Sequence, residues 1–315
     1  MLSWAEFRGA LLALGGLLVL VFAVIVVHPG LPGELLLQSL RFHLILAGLG
    51  LAVLTMIVGA RWRGGLLLAI VLAAGVHGAL YVMEFQQRRV DYAGPPAATL
   101  DFLSFNVLTG NRRSEELVQS ILADPPDVAL IMETPGIEDY LDQVATVLPY
   151  RAGCSRSETC DISLHSSIPF DSFEVRDLPP LGRERVVIGK ITVAGQGVTV
   201  VGIHLSKPYY DNTSEIELWL INRMLSEIEG PLILAGDFNS ASWTDPVAEI
   251  GRSQNLAPGP TQPATWPVRL GPLGVPIDNM FTRGSAQIMS LVSGDSHGSN
   301  HRPLRAEIGL YPAED

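Results

Sequence analysis

Cysteine is scarce in this sequence. Cys154 and Cys160 are the only two cysteines among 315 residues, and their spacing does not match a CxxC redox pair. No second cysteine pair is present, which excludes a structural zinc site built from two such pairs. The two residues are therefore either free thiols or the ends of a short disulfide loop, and the choice depends on the compartment.

Basic residues are also few: 21 Lys and Arg stand against 32 Asp and Glu, a formal net charge of −11. Six of the basic and four of the acidic residues lie within residues 1–91, so the rest of the chain carries −13. An acidic domain lacks the general attraction to phosphate backbones that drives non-specific nucleic-acid binding. The charge argues against a processive or non-specific DNA enzyme, although it leaves room for a local basic patch.

Charged residues are nearly absent from three apolar stretches near the N-terminus. Each stretch is close to the ~20 residues that a membrane-spanning helix needs, and no small-residue cleavage site follows the first one. The sequence therefore predicts a multi-pass membrane anchor and not a cleaved signal peptide. The expected spans are residues 11–27, 44–60 and 66–83, within an anchor of residues 1–91 that precedes a linker, 92–99, and a soluble domain, 100–310.

The connecting loops predict the orientation of this anchor. Arg61 and Arg63 lie in the very short loop between the second and third spans, which places that loop in the cytoplasm by the positive-inside rule. Arg88 and Arg89, beyond the third span, argue weakly for the opposite orientation. We expect the soluble domain on the extracytoplasmic side, where oxidising conditions would favour a disulfide between the two cysteines.

The soluble domain shows many short strand patterns and few, separated helix patterns. This is typical of an α+β fold in which two sheets pack together with helices outside. The expected strands are residues 100–107, 128–132, 161–165, 186–193, 198–203, 232–234, 279–281 and 305–310, and the expected helices are residues 114–123, 137–147 and 215–227.

One short apolar strand, residues 232–234, leads into Gly236-Asp237-Phe238-Asn239. Alternate residues of an extended chain point to the same side, so Asp237 and Asn239 are expected to share a face. Loops at the carboxyl ends of strands commonly carry the chemistry of α/β proteins. Taken alone, the same residues are equally typical of an ordinary turn.

Polar residues flank other apolar segments in the same way. Each alone is typical of a cap, a turn or a buried polar group, but six such segments in one order are hard to explain as turns. They contain Asn106, Glu133, His204, the pair Asp237 and Asn239, Asp278, and His301.

This ordered set resembles the endonuclease/exonuclease/phosphatase superfamily, which includes nucleases, inositol polyphosphate phosphatases and sphingomyelinases. The resemblance covers residues 98–308 and implies a four-layer α/β/β/α sandwich. Three spans before such a domain also resemble a group of membrane-anchored bacterial members. The resemblance thus implies a bacterial cytoplasmic (inner) membrane protein whose domain lies in the periplasm.

The resemblance also implies roles for these residues. Glu133 would bind Mg²⁺ or Mn²⁺, because hard cations prefer carboxylate oxygens, and the metal would polarise the scissile phosphate. Asp237 would act as the general base toward the attacking water. Asn106 and Asn239 would hold the water or the phosphate oxygens.

Two histidines complete the implied site. His301 would donate to a phosphoryl oxygen, with Asp278 fixing its tautomer and keeping it charged. His204 would stabilise the leaving group, and its usual acidic partner cannot be identified in the sequence.

Several neighbouring residues are secondary candidates. Arg302 would contact phosphate, although an ion pair with an acid explains it equally well. Lys207 and Tyr209 would face a substrate or belong to a solvated loop. Trp266 would be a substrate wall or, as we favour, a packing anchor.

Two positions depart from the family pattern: Leu108 and Asn300 stand where acids are common. Their absence leaves Glu133 as the one expected carboxylate ligand, and it predicts a single weakly bound metal, lowered activity or loss of activity. Asp295 and His297 are nearby in the sequence, but they are weak substitutes.

We therefore expect a metal-dependent phosphodiesterase or phosphatase anchored in the membrane. Its substrate would be a lipid head group, a small phosphodiester or nucleic acid, and the tether and the acidic charge favour the first two. The alternatives are an extracytoplasmic nuclease and a catalytically weak or inactive binding protein that retains the fold. No protein partner can be inferred from the sequence.

Overall fold

The computed structural model describes residues 3–155 and 158–312. The helices are α1 Trp4–Val27, α2 Glu34–Ser39, α3 Arg41–Ile57, α4 Arg61–Gln86, α5 Ser114–Ala123, α6 Leu141–Val144, α7 Thr213–Leu225 and α8 Asp245–Ser253. The strands are β1 Ala98–Asn106, β2 Val128–Met132, β3 Tyr150–Gly153, β4 Ile162–Ser166, β5 Phe170–Leu178, β6 Arg183–Val193, β7 Gln196–His204, β8 Leu232–Asp237, β9 Ala257–Pro258, β10 Asp278–Arg283, β11 Ala286–Ser293 and β12 Leu304–Leu310. Two 3₁₀ helices lie at Thr134–Tyr140 and Val268–Leu273.

The strands form two six-stranded sheets, ordered β11-β12-β1-β2-β4-β3 and β5-β6-β7-β8-β10-β9. Each sheet has one parallel pair, β1 with β2 and β7 with β8, and its other neighbours are antiparallel. Parallel neighbours run in one direction, so their carboxyl ends lie at the same edge of the sheet. That edge of each sheet is where the chemistry predicted from the sequence would be placed.

The two sheets pack face to face over an apolar core. Phe102 and Leu130 contribute to it from the first sheet, and Val200 and Ile233 from the second. Separate apolar clusters join the outer face of the first sheet to α5 and α6, and that of the second to α7 and α8. These layers confirm the expected α+β sandwich of two sheets with helices outside; we call residues 98–312 the sandwich.

Strands β3, β5, β9 and β11 are not predicted from the sequence. β5 is an edge strand with mostly exposed side chains, so it lacks the apolar alternation that marks a half-buried strand. Both β5 and β11 also contain register shifts, which interrupt the two-residue period.

The expected helix at residues 137–147 is wrong. The chain forms the 3₁₀ helix Thr134–Tyr140 and then only one α-helical turn, α6. Ile137 lies inside the 3₁₀ segment and has φ of −127°, outside the helical range, so the segment is kinked there. The apolar spacing here therefore reflects packing against the first sheet and not a continuous helix.

Helices α1 to α4 form an N-terminal unit, residues 4–86, which we call the helical unit. Among the described residues, α1 and α4 are the helices long and apolar enough to cross a bilayer. α3 is apolar, but its 17 residues extend about 26 Å, less than the ~30 Å hydrocarbon core. It ends at Ile57 because Gly59, with φ of +92°, begins the turn into α4. The structure thus gives two candidate spans where the sequence predicts three.

The helical unit packs directly on the sandwich through the loop after β8. The backbone N–H of Ala241 donates to Oγ of Ser39 (3.0 Å). The N–H of Asp245 donates to Oε1 of Gln38 (2.8 Å), and the indole N–H of Trp243 donates to the carbonyl of the same residue (3.1 Å). Because most of these groups are buried, the bonds fix α2 against the loop.

The end of α4 makes a second contact with the sandwich. The ring of Phe85 stacks on that of Phe281 at 5.6 Å between centroids, and Gln86 donates to the carbonyl of Gly259 (3.1 Å). Both contact regions lie at the end of the helical unit where α1 and α4 finish. Arg61 and Arg63, at the start of α4, therefore lie at the end remote from the sandwich.

Candidate active site

The strand ends bring the polar residues predicted from the sequence to one place. His204 and Asp237 are the last residues of β7 and β8 and pair in register, and Asp278, the first residue of β10, pairs with Asp237 from the other side. Asn106 ends β1, Glu133 follows β2, and His301 precedes β12. Asn239 lies two residues beyond β8.

The turn into the site depends on glycine at position 236. Gly236 has φ of +145°, and a Cβ atom there would lie 1.8 Å from the carbonyl oxygen of Ile203. β7 and β8 thus approach too closely at this point for any side chain. The close approach sets His204 beside Asp237.

Asp237 is the buried centre of the site. Its Oδ1 accepts the backbone N–H of Asn239 (2.8 Å), and its Oδ2 accepts Nδ2 of Asn106 (3.1 Å). Nδ2 of Asn239 itself donates to the carbonyl of Leu205 (2.7 Å). Burial, together with the charge of Asp278, raises the pKa of Asp237.

His301 and Asp278 form a buried pair on one side of Asp237. Nδ1 of His301 lies 2.9 Å from Oδ2 of Asp278, and its Nε2 lies 3.8 Å from Oδ2 of Asp237. Burial lowers the pKa of His301, but the two carboxylates outweigh it and raise that pKa to about 9. The imidazole is therefore positively charged at neutral pH.

His204 has an acidic partner that sequence reasoning missed. Nδ1 of His204 lies 2.7 Å from Oδ2 of Asp161, and its Nε2 lies 3.7 Å from Oδ2 of Asp237. Burial alone would raise the pKa of Asp161, but the hydrogen bond from His204 and the charge of Arg185 outweigh it and lower that pKa. Asp161 is the first residue of an expected strand, and this position was the one feature of the sequence that could have indicated a functional role for it.

Arg185 links Asp161 to a second buried acid. Its Nε lies 3.4 Å from Oδ2 of Asp161, and its Nη1 donates to Oγ of Ser206 (3.0 Å) and lies 3.7 Å from Oε1 of Glu217. Glu217 is fully buried and accepts both the N–H and the hydroxyl of Ser206 (2.6 and 2.7 Å). Burial raises the pKa of Glu217. The network holds the loop after β7 in place behind His204.

Cys154 and Cys160 form a disulfide in the structure, with Cα atoms 4.5 Å apart. The bridge closes the loop between β3 and β4, and Cys160 immediately precedes Asp161. The disulfide therefore anchors the chain next to the partner of His204.

Glu133 faces the same centre from the first sheet. Its Oε2 accepts the N–H of Thr109 (2.7 Å), and its Oε1 accepts Nδ2 of Asn106 (3.2 Å). Burial would raise the pKa of Glu133, but the Thr109 hydrogen bond and the charge of His204 outweigh it, so the carboxylate stays ionised. Within residues 3–155 and 158–312, no Lys, Arg or His forms an ion pair with it.

Two groups of residues could hold a cation. Donor atoms of Asp237, Asp278 and His301 all lie within 4.8 Å of one another. However, Asp278 and His301 already bond to each other there, and a charged imidazole disfavours a cation. The ionised carboxylate of Glu133 beside the amide of Asn106 is the better match for a hard divalent cation, which prefers oxygen ligands.

The two residues considered as substitute metal ligands, Asp295 and His297, lie outside the site. Asp295 and His297 line a cavity with Phe105 and Ile121, on the face of the first sheet that packs against α5. They do not join the cluster around Asp237. Of the two departures from the family pattern, Leu108 gives its backbone N–H to Oδ1 of Asn106 (3.2 Å), and Asn300 is exposed.

The secondary candidates take different places. Nε of Arg302 is buried and has no hydrogen-bond partner in the described part of the chain. Tyr209 is close enough to Asp237 for burial and that charge to raise its pKa. Trp266 packs against the apolar cluster that contains Trp243, Val275 and Ile277, which is consistent with a packing anchor.

Comparison with known proteins identifies the family of this chain and proteins with a similar fold. The model of the endonuclease/exonuclease/phosphatase family matches residues 103–301. A UPF0294 protein of Vibrio cholerae serotype O1 is 26% identical over 228 residues, which cover 67% of this chain and 78% of that protein. D. rerio TDP2, solved with a single-strand DNA product, superposes with a TM-score of 0.56 at 17% identity, covering 67% of this chain and 99% of its own. Sphingomyelinase C from Streptomyces griseocarneus superposes with a TM-score of 0.51 at 17% identity, covering 67% of this chain and 99% of its own. The match extends from β1 to His301, and on this ground the chain belongs to the endonuclease/exonuclease/phosphatase family.

Proposed function

We propose that the protein is a metal-dependent phosphoester hydrolase held in a bilayer by its helical unit. The arrangement around Asp237 carries this proposal. Nε2 of His204 and Nε2 of His301 lie 3.7 and 3.8 Å from the same oxygen, Oδ2. The other nitrogen of each ring is held by a carboxylate, Asp161 or Asp278. A base flanked by two oriented imidazoles is suited to move protons on both sides of a reacting phosphorus.

Asp237 would take a proton from the attacking water. The water oxygen forms a bond to phosphorus, the bond to the leaving oxygen breaks, and that oxygen takes a proton from His204. A diester thus gives a monoester and an alcohol. The raised pKa of Asp237 supports this role, because a carboxylate of higher pKa is a stronger base.

His301 would stabilise charge on the phosphoryl oxygens. Its raised pKa supports an imidazolium at neutral pH, and Asp278 fixes the ring so that Nε2 is the donor. Nδ2 of Asn239 donates a hydrogen bond to the carbonyl of Leu205, so Oδ1 of Asn239 would orient the water. Arg302 would bind a phosphate oxygen, and its Nε has no hydrogen-bond partner within the described residues.

Glu133, with Asn106 beside it, would hold the divalent cation, Mg²⁺ or Mn²⁺. The ionised carboxylate, which has no cationic partner in the described part of the chain, supports this assignment. When bound, the cation would polarise the phosphate and offset charge on the leaving oxygen.

The helical unit would lie in a bacterial cytoplasmic (inner) membrane as a multi-pass anchor, with the sandwich on the extracytoplasmic side. α1 and α4 supply the length and apolar character, and α3, which packs against both, would return the chain from the sandwich side to the start of α4. The basic residues Arg61 and Arg63 lie at the end remote from the sandwich, as the positive-inside rule requires of the cytoplasmic end. The disulfide fits an oxidising compartment.

The first test measures turnover by the full-length protein in detergent. A nitrophenyl phosphodiester and a nitrophenyl phosphomonoester would be supplied with Mg²⁺, with Mn²⁺ or with a chelator. We expect metal-dependent turnover that falls by about 100-fold or more in Asp237→Asn and His301→Asn. Asp142→Asn, on an exposed residue, and His297→Asn, outside the cluster, are the matched controls and should retain full activity.

The result would distinguish an active hydrolase from a binding protein. Full activity in Asp237→Asn would refute the mechanism. A folded protein that binds Mg²⁺ by calorimetry but turns over neither ester, nor an oligonucleotide, nor a phospholipid, would be a binding protein that retains the fold.

A further inference from the structure

Three loops lead from the proposed catalytic residues straight to the helical unit. After His204, the carbonyl oxygen of Tyr209 lies only 3.5 Å from where a Cβ atom on Gly33 would be. After Asp237, the N–H of Ala241 donates to α2. These two loops reach the helical unit within five and four residues of the catalytic side chains.

The third loop starts beside Asp278 and ends at α3. The N–H of Asp278 donates to Oγ1 of Thr265 (3.2 Å), which fixes the start of the loop at the site. Eight residues later, the carbonyl of Leu273 lies 2.8 Å from Nε2 of His43, in the first turn of α3. The site is therefore bounded on several sides by chain that touches the helical unit.

These connections limit how far the site stands from the membrane. A chain extends at most about 3.6 Å per residue, so Asp237 lies within roughly 14 Å of Ala241, which is bonded to α2. The polar layer on each side of a bilayer core is about 5–8 Å thick. The reacting phosphate would thus be bound close to the head-group layer next to the ends of α1 and α4.

Exposed apolar side chains occur on the same segments. Tyr210, next to Tyr209, is 87% exposed, and Leu273, whose carbonyl meets α3, is 65% exposed. Leu270 and Leu31, on the third loop and on the connection between α1 and α2, are also exposed. We call Leu31, Tyr210, Leu270 and Leu273 the rim. Single exposed apolar residues are common, but these four share a position at the junction with the helical unit.

We propose that the rim rests in the lipid head-group layer and that the substrate is a phosphodiester lipid of that same leaflet. The substrate class rests on the proposed function above. Tyr and Leu side chains are favoured at a membrane interface, and the rim is continuous with the helices that would enter the bilayer. The acidic sandwich disfavours a polyanionic nucleic acid, whereas a lipid presents one phosphodiester at a time.

The test uses the full-length protein reconstituted in vesicles of phosphatidylethanolamine and phosphatidylglycerol in equal amounts. Phosphorus NMR follows conversion of lipid diester to monoester, and a nitrophenyl phosphodiester measures the soluble reaction in the same vesicles. Tyr210→Asp and Leu273→Asp should lower lipid turnover by about tenfold or more, because a charge replaces apolar contact with the interface, and leave the soluble reaction unchanged. Phe173→Asp, on an exposed aromatic residue of β5 outside the rim, should change neither.

Several outcomes would overturn the proposal. One is equal loss of lipid and soluble turnover in the rim variants, and another is wild-type protein that cleaves the soluble ester or an oligonucleotide but no lipid. No turnover of any substrate by wild type would refute the proposed function instead. The rim is then tested separately with a fluorophore on Tyr210→Cys or Phe173→Cys. Nitroxide-labelled lipid should quench the first several-fold more than the second, and equal quenching would refute the contact.

Discussion

The carboxylate of Asp161 holds Nδ1 of His204 at 2.7 Å, although 43 residues separate the two in the chain. We expect Asp161→Asn to lower kcat on a soluble phosphodiester by about 100-fold, because the amide does not fix the tautomer and orientation of the ring as the carboxylate does. KM should change little, since Asp161 does not face the substrate. Steady-state kinetics beside the exposed control Asp142→Asn would check this, and activity close to wild type would refute the role of the pair.

Arg185 should matter for both stability and rate. Arg185→Met leaves the carboxylates of Asp161 and Glu217 buried without their cation, and a broken buried ion pair costs about 3 kcal/mol. Urea unfolding would measure this loss. Arg185→Lys should recover part of both stability and kcat because it keeps the charge. The control Arg176→Met breaks an exposed pair with Glu174 and should cost less than about 1 kcal/mol.

The charge of His301 should be visible in solution. In the metal-free protein we expect its imidazole to titrate with a pKa of about 9, against about 6.5 in the unfolded chain. Because the folded pKa is the higher one, the stability from the charged imidazole is complete below about pH 6.5 and is lost as the pH rises through about 9. NMR titration of the ring would measure it, and Asp278→Asn should lower the value. A pKa near 6.5 in both proteins would contradict the geometry.

Gly236 should tolerate no side chain. Gly236→Ala would place Cβ 1.8 Å from the carbonyl oxygen of Ile203, so we expect loss of more than about 3 kcal/mol or failure to fold. Gly197→Ala, in the adjacent strand β7, meets no atom within 4 Å and should change stability by less than about 0.5 kcal/mol. Thermal unfolding of the two variants would decide, and equal stabilities would show that β7 and β8 separate easily.

Local patterns predict much of the site but not all of it. Asp237 ends the short buried strand β8 and Asn239 lies two residues beyond it, so their proximity is predictable from a few residues of sequence. The contact between Asp161 and His204 is not predictable in this way. It depends on how β4 of the first sheet packs against β7 of the second. The edge strand β5 lacks a buried face and leaves no periodic signal.

The helical unit shows the same limit. Long apolar stretches predict α1 and α4, yet the sequence does not distinguish residues that would face lipid from those that face the sandwich. Phe85 and Leu35 belong to the same apolar cluster as α7 and α8. Hydropathy does not predict that Phe85 and Leu35 contact the sandwich, because apolar residues that face lipid and apolar residues buried against protein look alike in the sequence.

This shared cluster changes how the protein should be handled. Phe85 is 1% exposed and Leu35 is 3% exposed only because each covers a face of the sandwich. A fragment without the helical unit would present that face, including Phe281, to water, and we expect it to aggregate. The N-terminal helices are therefore a structural part of the folded protein, and in the proposed membrane orientation they would hold the site at one fixed height and tilt above the bilayer.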